Sequence, residues 1–130
     1  MTIVVGYIPT KEGRAAFDRA VEETKLRKTA LVIINSNRGG RDFALEDVDA
    51  EQEIERQAAE LRGVGLEVEV RQLVRGNDPA EDLIDVASES DADLIVIGLR
   101  RRTPVGKLIL GSNAQRILLD APCAVLAVKA

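Results

Sequence analysis

Ala30-Leu31-Val32-Ile33-Ile34 and Leu94-Ile95-Val96-Ile97 are two unbroken apolar runs, and they decide the fold class of this chain. Both are short and rich in β-branched residues, which favours strands. Because the apolar character is continuous instead of alternating, both faces of each strand must be buried, as in a parallel sheet between helices. The polar, turn-prone residues 35–40 end the first run, and Gly98 ends the second.

Three further strands are predicted on either side of these runs. Ile3-Val4-Val5 is a short β-branched run that ends at Gly6, and Ala124-Val125-Leu126-Ala127-Val128 is the last apolar run. Residues 66–73 alternate between apolar and polar, which is typical of a strand with one solvated face or of an edge strand. We therefore expect 66–73 toward the outside of the sheet.

Helical spacing of apolar residues predicts four helices between the strands. They cover about 13–26, 46–62, a segment that begins at Pro79 with Asp78 as its N-cap, and 112–119. Strands that alternate with helices imply right-handed crossovers and a parallel sheet covered on both faces. The prediction is one three-layer α/β domain over residues 1–130, with five strands and four helices.

Charge and composition argue against several classes of partner. The net charge of −4 disfavours a whole-protein attraction to nucleic acid or to an anionic membrane. The sequence has no secretory leader and no apolar run of about 18 residues. Cys123 is the single cysteine, so no internal disulfide forms. We expect a cytoplasmic protein with neither a nucleic-acid nor a membrane partner.

The residue inventory also narrows the possible chemistry. The sequence contains no histidine, which excludes histidine-based triads and histidine metal sites. Cys123 follows Pro122 and opens an apolar strand, so we interpret it as inert core. The acids Asp47, Asp49, Glu51 and Glu53 fit a solvated helix start better than a metal site, and no metal site is predicted.

A ligand crevice is expected beyond the carboxyl ends of the first and fourth strands, where the strand order of such a sheet reverses. The fourth-strand loop, 98–107, is basic, and it leads to Gly111-Ser112-Asn113 at a helix start. Glycines and a helix N-terminus suit a phosphate group. The alternative is that Gly98 only turns the chain, the arginines are solvated and Ser112 or Asn113 only caps its helix.

Two smaller features of these loops bear on ligand binding. Gly106-Lys107 is not a P-loop, because Leu108 and Arg102 stand where that motif needs Ser or Thr and a glycine. Tyr7, in the first loop, either stacks on a flat ring or covers the sheet edge, and the sequence leaves both open.

The whole chain resembles the universal stress protein family. In its nucleotide-binding members the fourth-strand loop reads Gly, two residues, Gly, nine residues, Gly and then Ser or Thr. Gly98 and Gly111-Ser112 fall on the first and last positions of that pattern. Three other stretches also match the family, namely residues 3–5, Arg14-Ala15-Ala16 in the following helix, and residues 121–128. The resemblance implies a Rossmann-like, adenine-nucleotide alpha-hydrolase-like sheet with strand order 3-2-1-4-5.

The chain departs from the pattern of binding members at two positions. Arg101 stands at the second glycine, where its side chain either blocks the approach of a phosphate or replaces a backbone contact with a guanidinium. Ile8 stands where binding members carry an aspartate for the adenine, and an apolar side chain cannot make that hydrogen bond.

The resemblance implies a regulatory stress-response protein that binds ATP or AMP, with Mg²⁺ accompanying the nucleotide, and that dimerises through Ala124–Val128. No catalytic residue is expected, although slow ATP hydrolysis stays open. The alternative is a dimeric interaction module without a nucleotide, which Ile8 and Arg101 favour. The implied contact residues are Gly6, Tyr7, Ile8, Ser36, Ile97, Gly98, Arg100, Arg101, Gly111, Ser112 and Asn113.

Overall fold

The fold is a five-stranded parallel sheet in the order β3-β2-β1-β4-β5. The structure is a computed structural model that describes residues 2–7, 10–37, 45–74, 79–99 and 111–129, with the backbone alone at 36–37, 45–50, 73–74 and 79. The two apolar runs lie in β2 and β4, the neighbours of the central β1. Their prediction as buried strands is confirmed, since β1 pairs in parallel with both.

Strands and helices alternate along the whole described chain. In chain order they are β1 Thr2–Gly6, α1 Lys11–Arg27, β2 Ala30–Asn37, α2 Leu45–Gly63, β3 Val68–Val74, α3 Pro79–Glu89, β4 Leu94–Leu99, α4 Ser112–Asp120 and β5 Ala124–Lys129. The predicted elements and the predicted strand order are confirmed, and the sheet is Rossmann-like. Asp78, the predicted N-cap of α3, lies outside the described residues.

Several boundaries differ from the prediction. Strand β2 does not end at the polar residues after Ile34, because Asn35 to Asn37 still pair with β3. Two other boundaries have a local cause. Helix α1 begins at Lys11 because the Oγ1 atom of Thr10 accepts a hydrogen bond from the Gly13 N–H at 3.1 Å and caps the helix. Strand β3 begins at Val68 because Leu66 takes part in the hydrogen bonds that cap the end of α2. The Leu66 N–H donates to the Leu61 carbonyl, and Gly65 has a φ of +94°.

Each face of the sheet has its own aliphatic core. On one face, α1 and α2 cover Ile3 and Val5 of β1, Leu31 and Ile33 of β2, and Val96 of β4. On the other face, the cluster comprises Val4, Val32, Ile34, Ala80, Leu83, Val86, Ala87, Ile95, Ile97 and Ile117. Alternate residues of the same strand therefore serve opposite cores, which explains the unbroken apolar runs.

The two edge strands differ from the central ones. Strand β3 lies at one edge, where the alternating pattern placed it, and Glu69 points to solvent beside the buried Val68. Strand β5 lies at the other edge and is only half-buried at Val125 to Val128. Within the described ranges, none of the helices has the length and apolar character that a bilayer crossing requires.

Candidate functional site

A cavity of about 120 Å³ lies where β1 and β4 end side by side, which is the reversal point of the strand order. Three helices begin around it. Its lining comprises Gly6, Glu12, Gly13, Ala16, Ala80, Leu83, Val96, Ile97, Gly98, Asn113, Ala114 and Ile117. The crevice that the sequence predicted at this edge of the sheet is therefore present, with apolar walls and few polar groups.

Gly98 is fixed by the close approach of helix α1. A Cβ atom at this position would lie 2.0 Å from the Glu12 carbonyl oxygen and 2.6 Å from the Glu12 carbonyl carbon. No side chain fits at such a distance from backbone atoms. Gly98 also does not turn the chain, because β4 continues through it to Leu99, which pairs with Lys129. Its first role is therefore to seat the amino end of α1 on β4.

Gly6 has a different environment at the end of β1. A Cβ atom there would meet Leu83 at 3.6 Å, an ordinary van der Waals contact. Packing therefore does not require a glycine at this position. The absence of a side chain at Gly6 leaves more space on the α3 side of the cavity. Pairing of β1 with β2 runs one residue further, since the Tyr7 N–H donates to the Ile34 carbonyl at 2.8 Å.

The amino ends of α1 and α4 face the crevice with different chemistry. Helix α1 carries a side-chain cap from Thr10 and an acid, Glu12, in its first turn, so its partial positive charge is already compensated. Helix α4 begins after Gly111 with neither a side-chain cap nor a first-turn acid among the described residues. Within the described residues, the partial positive charge of this helix end is therefore not offset by a side chain.

A bridge between α3 and α4 holds the far wall of the crevice. The Arg116 guanidinium donates to Glu81 at 2.5 Å and lies 3.9 Å from Asp120 on its own helix. Ala114 and Ile117 pack into the apolar core beneath the bridge. Asn113 lies one turn before Ile117 and lines the cavity, so the bridge and the core together set its position.

Tyr7 packs within the protein. Its ring meets Phe17 of α1 edge to face, with centroids 5.9 Å apart and an interplanar angle of 82°. It is half-buried against the core on the α1 and α2 side of the sheet. This contact favours the packing role that the sequence had left open beside the ligand role.

The remaining predicted contact residues lie in different environments. Ile97 is buried in the core on the α3 and α4 side and lines the cavity. Ser112 opens α4 and is exposed. Ser36 is described by its backbone alone, which pairs with Leu73 of β3. Ile8, Arg100 and Arg101 lie outside the described residues.

Glu12 is the residue that sequence reasoning missed. It is half-buried, lines the cavity beside Gly98 and Asn113, and is the first acid after β1 in the chain. The first-strand loop itself, residues 6–10, contains no acid, and Glu12 lies just beyond it. The signal was available, because the first turn of a helix that follows a parallel strand lies at the carboxyl edge of the sheet.

The thiol and the acids complete the inventory. Burial, followed by the negative charge of Asp93, raises the pKa of the Cys123 thiol. Cys123 packs half-buried against the core on the α3 and α4 side, so thiolate reactivity is suppressed, as the interpretation of inert core implies. In the part of the chain that the structure describes, no three acidic or cysteine side chains converge as metal ligands would.

The comparisons with known proteins all point to one family. The model of the universal stress protein family matches residues 1–129. A universal stress protein of Mycolicibacterium smegmatis is 46% identical over 135 residues, covering 98% of this chain and 96% of the relative. The predicted resemblance is thus confirmed over nearly the whole sequence.

Solved structures agree with the sequence match. A universal stress protein from Archaeoglobus fulgidus superposes with a TM-score of 0.80 and 37% identity over 99% of this chain and 98% of that protein. A universal stress protein from the same organism in complex with dAMP superposes with a TM-score of 0.75 and 32% identity, over 99% of this chain and 98% of that protein. A universal stress protein in complex with cAMP superposes with a TM-score of 0.71 and 26% identity, over 98% of this chain and 95% of that protein. The chain therefore belongs to the universal stress protein family.

Proposed function

We propose that this protein binds an adenine nucleotide, ATP or AMP, in the crevice at the carboxyl ends of β1 and β4. The observation that carries the proposal is the uncapped amino end of α4 beside the cavity that Gly98 and Asn113 line. A relative at 32% identity in complex with dAMP supports the same class of ligand. The nucleotide would act as a regulatory signal in a stress response.

The phosphate would bind at the start of α4. The N–H groups of a helix N-terminus and the helix dipole favour an anion there, and the Ser112 hydroxyl and the Asn113 amide add hydrogen-bond donors. Arg100, Arg101, Arg102 and Lys107 follow Gly98 in the sequence and would supply countercharge. Mg²⁺ bound with ATP would take most of its ligands from phosphate oxygens and water.

The adenine would bind without the aspartate that Ile8 replaces. The cavity of about 120 Å³ is smaller than the pockets of roughly 300–1,000 Å³ that enclose whole small-molecule ligands, so it would take part of the ligand only. Its apolar walls, which include Leu83 and Ile97, suit a ring face better than a sugar or a phosphate. Affinity would then depend on stacking and on the phosphate contacts.

We assign the protein a binding function rather than a catalytic one. The sequence has no histidine, and Glu12 is the one acid among the described residues that line the cavity. Hydrolysis of ATP needs a positioned water or a base beside the γ-phosphate. Turnover that disappeared in the Glu12→Gln variant would move the assignment to an enzyme.

Amide chemical shifts test the proposed site directly. Adding dAMP to the ¹⁵N-labelled protein is expected to shift the amide signals of Gly6, Gly98, Asn113 and Ala114. Gly65, at the opposite end of the sheet, serves as the internal control and is expected to stay in place. Shifts confined to other parts of the chain, or none at millimolar dAMP, would contradict this site.

We also propose a homodimer through β5. This strand forms one edge of the sheet, and its residues 125–128 are half-exposed aliphatics. Leu119 on the preceding helix is 82% exposed. An aliphatic edge strand has unpaired N–H and C=O groups that favour pairing with another strand, and a second copy of this chain offers the same edge.

Val128→Lys tests the dimer. We expect the unmodified protein to sediment as a dimer at micromolar concentration and the variant to sediment as a monomer, because the lysine places a charge at the paired edge. Val64→Lys is the matched control, since Val64 is 69% exposed in the turn after α2. A monomeric unmodified protein, or equal loss of the dimer in both variants, would defeat the β5 interface.

A further inference from the structure

We propose that Glu12 is a specificity-determining residue that biases the crevice toward nucleotides with one phosphate and against metal-free triphosphates. The inference rests on the proposed nucleotide site and states which ligand charge that site accepts. Its basis is an acid held at the junction of α1, β4 and α4, where the phosphates of a bound nucleotide would lie.

Packing holds the main chain of Glu12 in place. Its carbonyl oxygen would be 2.0 Å from a Cβ atom at Gly98, and its own Cβ would be 3.1 Å from that atom. Thr10 caps the helix start two residues earlier. The Cβ atom of Glu12 therefore stays beside Gly98 unless α1 separates from β4, and the carboxyl carbon lies only two bonds beyond this Cβ.

The two helix ends divide the crevice by charge. Among the described residues the α4 end has neither a side-chain cap nor a first-turn acid, whereas the α1 end presents the Glu12 carboxylate. Glu12 and Asn113 line the same cavity, so phosphates bound outside it at the start of α4 would lie near the acid, and a longer chain would bring more negative charge close to it. A single phosphate can remain on the α4 side.

Coulomb's law gives the size of the expected bias. Two unit charges about 8 Å apart in an effective dielectric of about 40 repel enough to weaken binding roughly sixfold. ATP carries about two more negative charges than AMP, so Glu12 should lower the ratio of ATP to AMP affinity by roughly tenfold or more. Mg²⁺ neutralises part of the phosphate charge and should reduce that bias.

Titration calorimetry with AMP and with ATP, both in the presence of a chelator, provides the test. Glu12→Gln is expected to raise the ratio of ATP to AMP affinity about tenfold, mostly through tighter ATP binding. Added Mg²⁺ is expected to raise ATP affinity more in the unmodified protein than in this variant. Glutamine keeps the size of the side chain and removes its charge.

Glu22→Gln is the matched control. Glu22 is on the same helix, exposed, and ten residues further along, which is about 15 Å at 1.5 Å per residue. That distance exceeds the Debye length of about 8 Å at physiological salt, so the affinity ratio should not change.

Each contrary result has a separate meaning. An unchanged ratio in Glu12→Gln, or an equal change in Glu22→Gln, overturns the role of Glu12 and leaves nucleotide binding intact. Absence of binding by either nucleotide to the unmodified protein and to Glu12→Gln overturns both the role of Glu12 and the proposed function.

Discussion

Gly98→Ala is expected to lower the free energy of unfolding by about 3 kcal/mol, the upper part of the range for overpacking a well-packed site. The added methyl group would lie 2.0 Å from the Glu12 carbonyl oxygen, which is backbone and cannot rotate away. Helix α1 must then move off β4 and lose packing at the edge of the core. Urea unfolding followed by circular dichroism measures the change.

Gly6→Ala is the matched control for that measurement. Gly6 likewise lies in a central strand at the crevice, but its added methyl group would meet Leu83 at the ordinary distance of 3.6 Å. We expect a change of less than about 1 kcal/mol, because neither clash nor cavity results. Equal stability of the two variants would show that α1 does not pack on β4 closely enough to exclude a side chain at position 98.

Gly111→Leu is expected to weaken binding of an adenine nucleotide by about 100-fold, which corresponds to about 2.7 kcal/mol. Gly111 has φ −68° and ψ 166°, a conformation that any residue adopts, so the substitution puts no strain on the backbone. The added bulk would lie where a phosphate must approach the first N–H groups of α4. Loss of charge-assisted hydrogen bonds accounts for the size of the effect.

The control for Gly111→Leu is the same substitution at Gly63. Gly63 ends α2, and a Cβ atom there meets no atom within 4 Å. Nucleotide affinity should be unchanged in that variant, as measured by the same titration. Full affinity in Gly111→Leu would mean that the phosphate does not bind at the start of α4.

The positions of the strands in the sheet could be predicted from the sequence, because they depend on how deeply each strand is buried. The unbroken runs at 30–34 and 94–97 identified the central strands, and the alternation in 66–73 identified an edge strand. The start of α1 was misjudged by two residues, because the Thr10 cap is a local hydrogen bond that apolar periodicity does not detect.

The crevice was only partly predictable. Its location follows from the strand order, and Gly98 and Asn113, two of the predicted contact residues, line the cavity. The reason for a glycine at 98 was not predictable, because its neighbour, the Glu12 carbonyl, is 86 positions away in the chain. Glu12 itself was overlooked, since its approach to Gly98 and Asn113 arises only when α1 packs on β4.

Titration calorimetry of the unmodified protein with AMP tests the central proposal most directly. Saturable binding of one nucleotide per chain, lost in Gly111→Leu and kept in the Gly63→Leu control, is the predicted result. No binding heat at several temperatures, from protein that circular dichroism shows to be folded, would contradict nucleotide binding. The β5 edge would then be the functional surface, and the protein would act as an interaction module.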